Sequence, residues 1–68
     1  MSEVSTWNVT GMTCGHCAAS VAEEIGEIDG VENVEVSFEA GEAVVTSAAP
    51  LDRAAVEAAV AEAGYALA

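Results

Sequence analysis

Cys14 and Cys17 are the only cysteines of the chain, and its only histidine, His16, stands between them. All three lie in one run of seven residues, Gly11-Met12-Thr13-Cys14-Gly15-His16-Cys17. Two thiols three positions apart support two kinds of chemistry. As thiolates they close together on one soft metal ion; by losing two electrons they close on each other as a disulfide. Two thiolates make a soft site of low coordination number, and Cu(I) is the biological ion that suits it best. Structural zinc normally takes four protein ligands, and two cysteines with one histidine fall short of that set. The bland alternative is a pair of small buried hydrophobes. A C-x-x-C pair at a strand-to-helix turn, in a chain with no other cysteine, argues against it.

The surrounding sequence reads as a scaffold for this loop. Residues 4–10 alternate, with Trp7 and Val9 on one face and Asn8 and Thr10 on the other, so they form a strand. Gly11 breaks it. From residue 17 to 28 the period becomes helical, with Cys17, Val21, Ile25 and Ile28 on one stripe and Glu23, Glu24 and Glu27 facing out. On this reading Cys17 begins the helix, where free N–H groups favour an anion. A lowered thiol pKa follows, larger at whichever sulfur lies nearer the helix start. Residues 31–38 form a second strand with Val34, Val36 and Phe38 inward, followed by a turn at 39–42. Residues 43–47 return with Ala43, Val45 and Ser47 inward. Asp52 caps a second helix at 53–63, whose stripe is Val56, Ala59, Val60 and Ala63. Gly64 suits the position past its end, and residues 65–68 give a short last strand. The order β-α-β-β-α-β specifies an α+β, ferredoxin-like sandwich, two helices on one face of a four-stranded antiparallel sheet.

Sixty-eight residues make one small domain, 1–68, with a marginal core and no room for a deep enclosed cavity. Twelve acidic residues oppose a single basic one, Arg53, for a net charge of −11. Such a chain is repelled by phosphate backbones and anionic lipid, which excludes nucleic acid as a partner and favours a positively charged one. No apolar run approaches the ~20 residues of a membrane span. The start, Met1-Ser2-Glu3-Val4, has neither the basic nor the apolar region of a signal peptide. The expected location is the cytoplasm, where thiols stay reduced and metal binding or redox catalysis outranks a structural disulfide.

Gly11-Met12-Thr13-Cys14-Gly15-His16-Cys17 resembles the GMxCxxC signature of the heavy-metal-associated domain family. The likeness covers essentially the whole chain: Trp7 and Val9 precede the loop, Gly30-Val31 opens the second strand and Gly64-Tyr65 the last. The chain is most similar to the bacterial and archaeal copper chaperones that stand alone as single domains, and its short polar start and immediate last strand fit a free-standing protein. The resemblance implies that Cys14 and Cys17 are the two Cu(I) ligands. It implies that Met12 packs under the loop rather than binding metal. Tyr65 matches a tyrosine near the metal loop, either a hydrogen-bond donor or packing partner for a thiolate or simply a half-exposed strand residue. His16 is either an auxiliary ligand or dimer contact, or a residue pointing to solvent. Thr13 stands where family domains of zinc, cadmium or lead exporters often carry aspartate, which points back to copper.

The implied function is that of a cytosolic copper chaperone, which is not an enzyme. It would deliver Cu(I) by thiolate exchange to a copper-transporting P-type ATPase metal-binding domain or a copper-responsive regulator. A copper-bridged homodimer through four cysteines also fits. Two rivals remain. Cys14-Gly15-His16-Cys17 is also the active-site tetrapeptide of protein disulfide isomerases, which suggests a small dithiol-disulfide oxidoreductase. Against it, a thioredoxin fold needs roughly 100 residues and carries tryptophan where this chain has Thr13. The other rival is a zinc- or mercury-binding domain of a metal exporter or transporter. Mercury-binding relatives share GMTC but are typically exported.

Overall fold

The computed structural model describes residues 2–68. Its elements run β1 (Glu3–Thr10), α1 (Gly15–Gly26), β2 (Val31–Ser37), β3 (Glu42–Ser47), α2 (Arg53–Glu62) and β4 (Ala66–Leu67). The strands form one antiparallel sheet in the order β2-β3-β1-β4. Both helices pack on one face of it, as the α+β reading requires.

Register explains which residues are buried. Across β1 and β3, Ser5 pairs with Val45 and Trp7 with Ala43. Val45 and Ala43 then pair with Val34 and Val36 of β2. On the other side Val9 pairs with Leu67 of β4. Because side chains alternate faces along a strand, this set turns inward together. Val21 and Ile25 of α1 and Val56 and Val60 of α2 close over it, all fully buried with Ala43 and Val45. Ser47 is the one buried polar side chain among the described residues, and its hydroxyl donates to the Ala49 carbonyl at 2.7 Å. Asp52 caps α2 as expected, accepting the Ala54 N–H at 3.2 Å.

The structure differs from the sequence reading at the hairpin and at the end of α1, and it also ends α2 at Glu62 and confines β4 to Ala66–Leu67. Phe38 does not face inward; it lies in the hairpin turn and is 37% exposed. Ser37 ends β2 opposite Glu42, and its hydroxyl accepts the Ala40 N–H at 3.3 Å. That side-chain bond starts the turn one residue early, so the period-two pattern stops before Phe38. Helix α1 ends at Gly26 rather than 28. The N–H groups of Glu27 and Ile28 bond three residues back, to Glu24 at 3.2 Å and Ile25 at 3.0 Å. This is the tightening by which helices satisfy their last carbonyls. Ile28 still packs against the core from the turn.

Candidate metal site

The loop leaves β1 at Gly11, whose φ of +91° is open to glycine and strained for other residues. Met12 then turns its side chain into the core, 9% exposed and clustered with Val9 and Ala18. It anchors the loop from beneath, and Thr13 and Cys14 remain exposed above. Cys14 occupies the N-cap of α1 with extended backbone, φ −157° and ψ 170°. Its carbonyl accepts the N–H groups of Cys17 at 3.1 Å and Ala18 at 3.3 Å. Its side chain makes no cap bond, so the thiol is left for other work. The helix therefore starts two residues earlier than its apolar stripe suggested, and Cys17 is the third helical residue, not the first. Cysteine at the cap carries none of the usual Ser, Thr, Asp or Asn signal that marks a helix start.

This arrangement puts the two sulfurs 3.5 Å apart. A disulfide would need about 2.05 Å, so both thiols are free. With metal–sulfur bonds of roughly 2.3 Å, two sulfurs on one ion can lie at most about 4.6 Å apart. The observed spacing therefore lets a single ion touch both. Cys14 is exposed and Cys17 half-buried, so the pair is open on the Cys14 side.

Cys17 is poised as a thiolate. Its pKa is lowered from 9.0 to about 6, first by the Thr13 backbone N–H, then by the Tyr65 hydroxyl and by Cys14, against some burial that works the other way. Cys14 Sγ lies 3.5 Å and Thr13 Oγ1 3.9 Å from its sulfur. The Tyr65 pKa is raised, chiefly by the same Cys17 hydrogen bond. The two shifts agree: the phenol keeps its proton and offers it to the sulfur. The cause is thus a set of donors around one sulfur. Thr13 as a donor was missed in the sequence, where it served only to weigh one metal against another.

Tyr65 reaches the site from the far end of the chain because Gly64 stops α2 in front of it. The other expected neighbour, His16, is exposed, and only its backbone carbonyl is engaged, by the Ser20 hydroxyl at 3.2 Å. Among the described residues, no three His, Cys, Asp or Glu side chains gather into a metal-holding group. The structure thus brings Cys14, Cys17 and Tyr65 together, buries Met12 below them and leaves His16 outside.

The same loop and fold recur in known proteins. The Heavy-metal-associated domain family matches residues 6–66. The chain belongs to this family. It is 46% identical over 44 residues to the copper chaperone CopZ of Bacillus subtilis, covering 65% of this chain and 64% of that one. It is 47% identical over 45 residues to the periplasmic component of a mercuric transport protein of Pseudomonas fluorescens, covering 66% of this chain. The chain spans only 50% of that relative's length. Among solved structures, a CopZ metallochaperone superposes with a TM-score of 0.88 at 30% identity, over 97% of this chain and 100% of the other. Within the described residues no helix is long and apolar enough to cross a membrane.

Proposed function

We propose that this chain is a cytosolic copper chaperone that binds Cu(I) through Cys14 and Cys17 and passes it on by thiolate exchange. The observation that carries the reading is the pair of sulfurs 3.5 Å apart at the open start of α1, one of them held as a thiolate near neutral pH. Cu(I) is cargo here, and two soft donors with no carboxylate gathered beside them suit it. Likeness to the B. subtilis copper chaperone supports the choice of metal. The mercuric relative favours Hg(II) as the competing soft ion, since the same two thiolates would take it.

Release follows from the asymmetry of the pair. An incoming partner thiolate enters on the open Cys14 side and makes a third bond to the metal; one of the chain's own sulfurs then lets go. No bond to carbon is made or broken, and no catalytic group is required. The partner is the soluble metal-binding domain of a copper-transporting P-type ATPase or a copper-responsive regulator. No Asp, Glu, Lys or Arg lies between residues 4 and 22, whereas the rest of the chain carries the net charge of −11. A partner with a basic rim is drawn to the molecule and meets a loop free of carboxylates. Residues 1–68 act as one domain, and a second copy sharing copper through four cysteines is an alternative acceptor.

The experiment is transfer. The copper-loaded chain is mixed anaerobically with the reduced, metal-free domain of a copper ATPase, and both are followed by NMR. Copper moving between them, with an encounter rate that falls as salt rises, supports the reading. Copper that stays put in every partner tested contradicts it. Metal-free turnover in a disulfide-reduction assay would give CGHC to redox chemistry instead.

A further inference from the structure

The two edges of the sheet are unlike. One edge is β2, which carries Glu32 and Glu35 and a register shift between Val31 and Asn33. Charges and bulges keep an edge strand from pairing with another chain. The other edge is shared by β4 and β1. β4 pairs only with Val9 and Thr10, and beyond it the Ala68 N–H reaches the Asn8 carbonyl at 2.9 Å. Arg53, the chain's one base, donates to the Ala68 carbonyl at 3.5 Å and so marks where this pairing stops. Before Asn8 the edge is β1 itself. The N–H and C=O of one residue point to the same side of a strand, and the side alternates along it. Val9 donates to the Gly41 carbonyl beside β3, and Asn8 accepts on the β4 side. Val4 and Thr6 therefore turn their N–H and C=O groups away from β3, into the open edge. Among the described residues no backbone bond from the 48–52 loop or from β4 meets them. Both residues are exposed, and Val4, at 66%, is the most exposed large apolar side chain among the described residues. Ser2 leans the other way, its hydroxyl donating to Glu32 at 2.7 Å.

We infer that the β1 edge at Val4 and Thr6 is a docking site for an extended, basic segment of a partner protein, which adds there as a further strand. Strand addition takes its affinity from main-chain hydrogen bonds and its selectivity from alternate side chains. The free N–H and C=O groups of Val4 and Thr6 supply the hydrogen bonds. Their side chains share the outer sheet face with Thr46 and Val44, opposite which they pair, so the segment's alternate residues meet a β-branched surface. Charge selects the occupant. The edge itself carries no Asp, Glu, Lys or Arg from residue 4 onward to 22, while Glu3 precedes it and Glu42 stands opposite Asn8. A second copy of the chain brings another net charge of −11 and is repelled, whereas a segment with Lys or Arg is attracted. Gly11 follows Val4 by seven residues, about 23 Å of extended strand, so the occupant leaves Cys14 and Cys17 uncovered. The site goes beyond the copper reading and does not depend on it.

The test uses the reduced, metal-free chain, so a failure of copper binding leaves it standing. The probe is a capped peptide, Lys-Thr-Val-Thr-Val-Lys, added to isotope-labelled protein and followed by NMR. Shift changes should centre on β1, and amide exchange at Val4 and Thr6 should slow by about tenfold at saturation while Val45 in the core stays as it was. The same peptide with glutamate in place of lysine should bind about tenfold more weakly at low salt, and the gap should narrow as salt rises. Thr6→Pro deletes an N–H that β1 does not use toward β3, a placement proline tolerates at an edge. It should weaken the lysine peptide about fivefold, the worth of one hydrogen bond. A peptide N-methylated at its four central residues should give no protection at Val4 or Thr6, and this comparison carries the test if Thr6→Pro does not fold. Unchanged exchange at Val4 and Thr6, shifts centred away from β1, or equal binding by the N-methylated peptide overturns the docking site. Equal binding by the glutamate peptide overturns the basic occupant. So does self-association of the chain alone, read as slowed diffusion with protection at Val4 and Thr6, which would give the edge to a second copy.

Discussion

The pKa of Cys17 can be tested by alkylation with iodoacetamide across the pH range, with tandem mass spectrometry assigning the label to Cys17. With a pKa of about 6 instead of 9.0, thiolate outnumbers thiol about ten to one at pH 7, against about one to a hundred for an ordinary cysteine. The thiolate fraction is then roughly 90-fold higher. Nucleophilicity falls with basicity, however, with a Brønsted slope of about 0.4–0.5, which over three pH units removes roughly 15–30-fold. The net gain at pH 7 is only about 3–6-fold, too small to rest a conclusion on. At pH 5 the fractions differ by about 900-fold and the net gain by roughly 30–60-fold, so the profile must be followed into acid. The rate should rise through a midpoint near 6 and then level. Tyr65→Phe removes the second-ranked cause and leaves the first, the Thr13 backbone N–H. Its midpoint should therefore move up without reaching 9.0. A parent midpoint at 8–9, or one that Tyr65→Phe leaves unmoved, would overturn the electrostatic description of the site. The sign for stability follows. The folded pKa lies below the unfolded one, so this group's contribution is fully present above pH 9.0 and lost as pH falls through about 6.

Three further perturbations probe the scaffold. Asp52→Ala removes the side-chain bond to the Ala54 N–H and should cost about 1 kcal/mol in urea denaturation, leaving Cys17 alkylation unchanged. Ile25→Ala, at a fully buried site between helix and sheet, should cost about 2–5 kcal/mol, a large part of what a chain of this size has; the midpoint of denaturation reads it. Glu24 has its pKa raised by Glu27 above all, then by partial burial and by Glu23 and Glu62. Its favourable contribution is thus present below 4.5 and lost as pH rises through the raised value. Glu24→Gln should accordingly raise the thermal midpoint at pH 7, by an amount that shrinks with added salt.

Where one physical signal acted alone, the sequence was readable. Ala43, Val45 and Ser47 alternate with Val44 and Thr46, and all three are buried as period two requires. Asp52 is the residue type that caps helices, and it caps one. Where a local side-chain bond competed with the pattern, the reading slipped. The Ser37 hydroxyl took the Ala40 N–H and moved the hairpin turn, which carried Phe38 out of the core. At the metal loop the residue types and spacing named the chemistry, but not the electrostatics. The position of Cys14 as a cap followed from no capping side chain. The donors that lower the Cys17 pKa come from Thr13, in the loop before the helix, and from Tyr65, near the opposite end of the chain. The burial of Met12 was legible only through the family resemblance, since one methionine in a loop has no period to read. The contact of Tyr65 with Gly11 joins distant parts of the chain, and no local pattern encodes it.

The proposed function requires two thiolates of one loop to hold Cu(I). An anaerobic Cu(I) titration against a chromogenic Cu(I) chelator measures this, made on the parent chain and on Cys14→Ser and Cys17→Ser. One tightly held Cu(I) per chain or per dimer, lost in both variants, is the expected outcome. A parent chain that cannot compete with the chelator, or a serine variant that competes as well as the parent, would show that copper is not held by this pair.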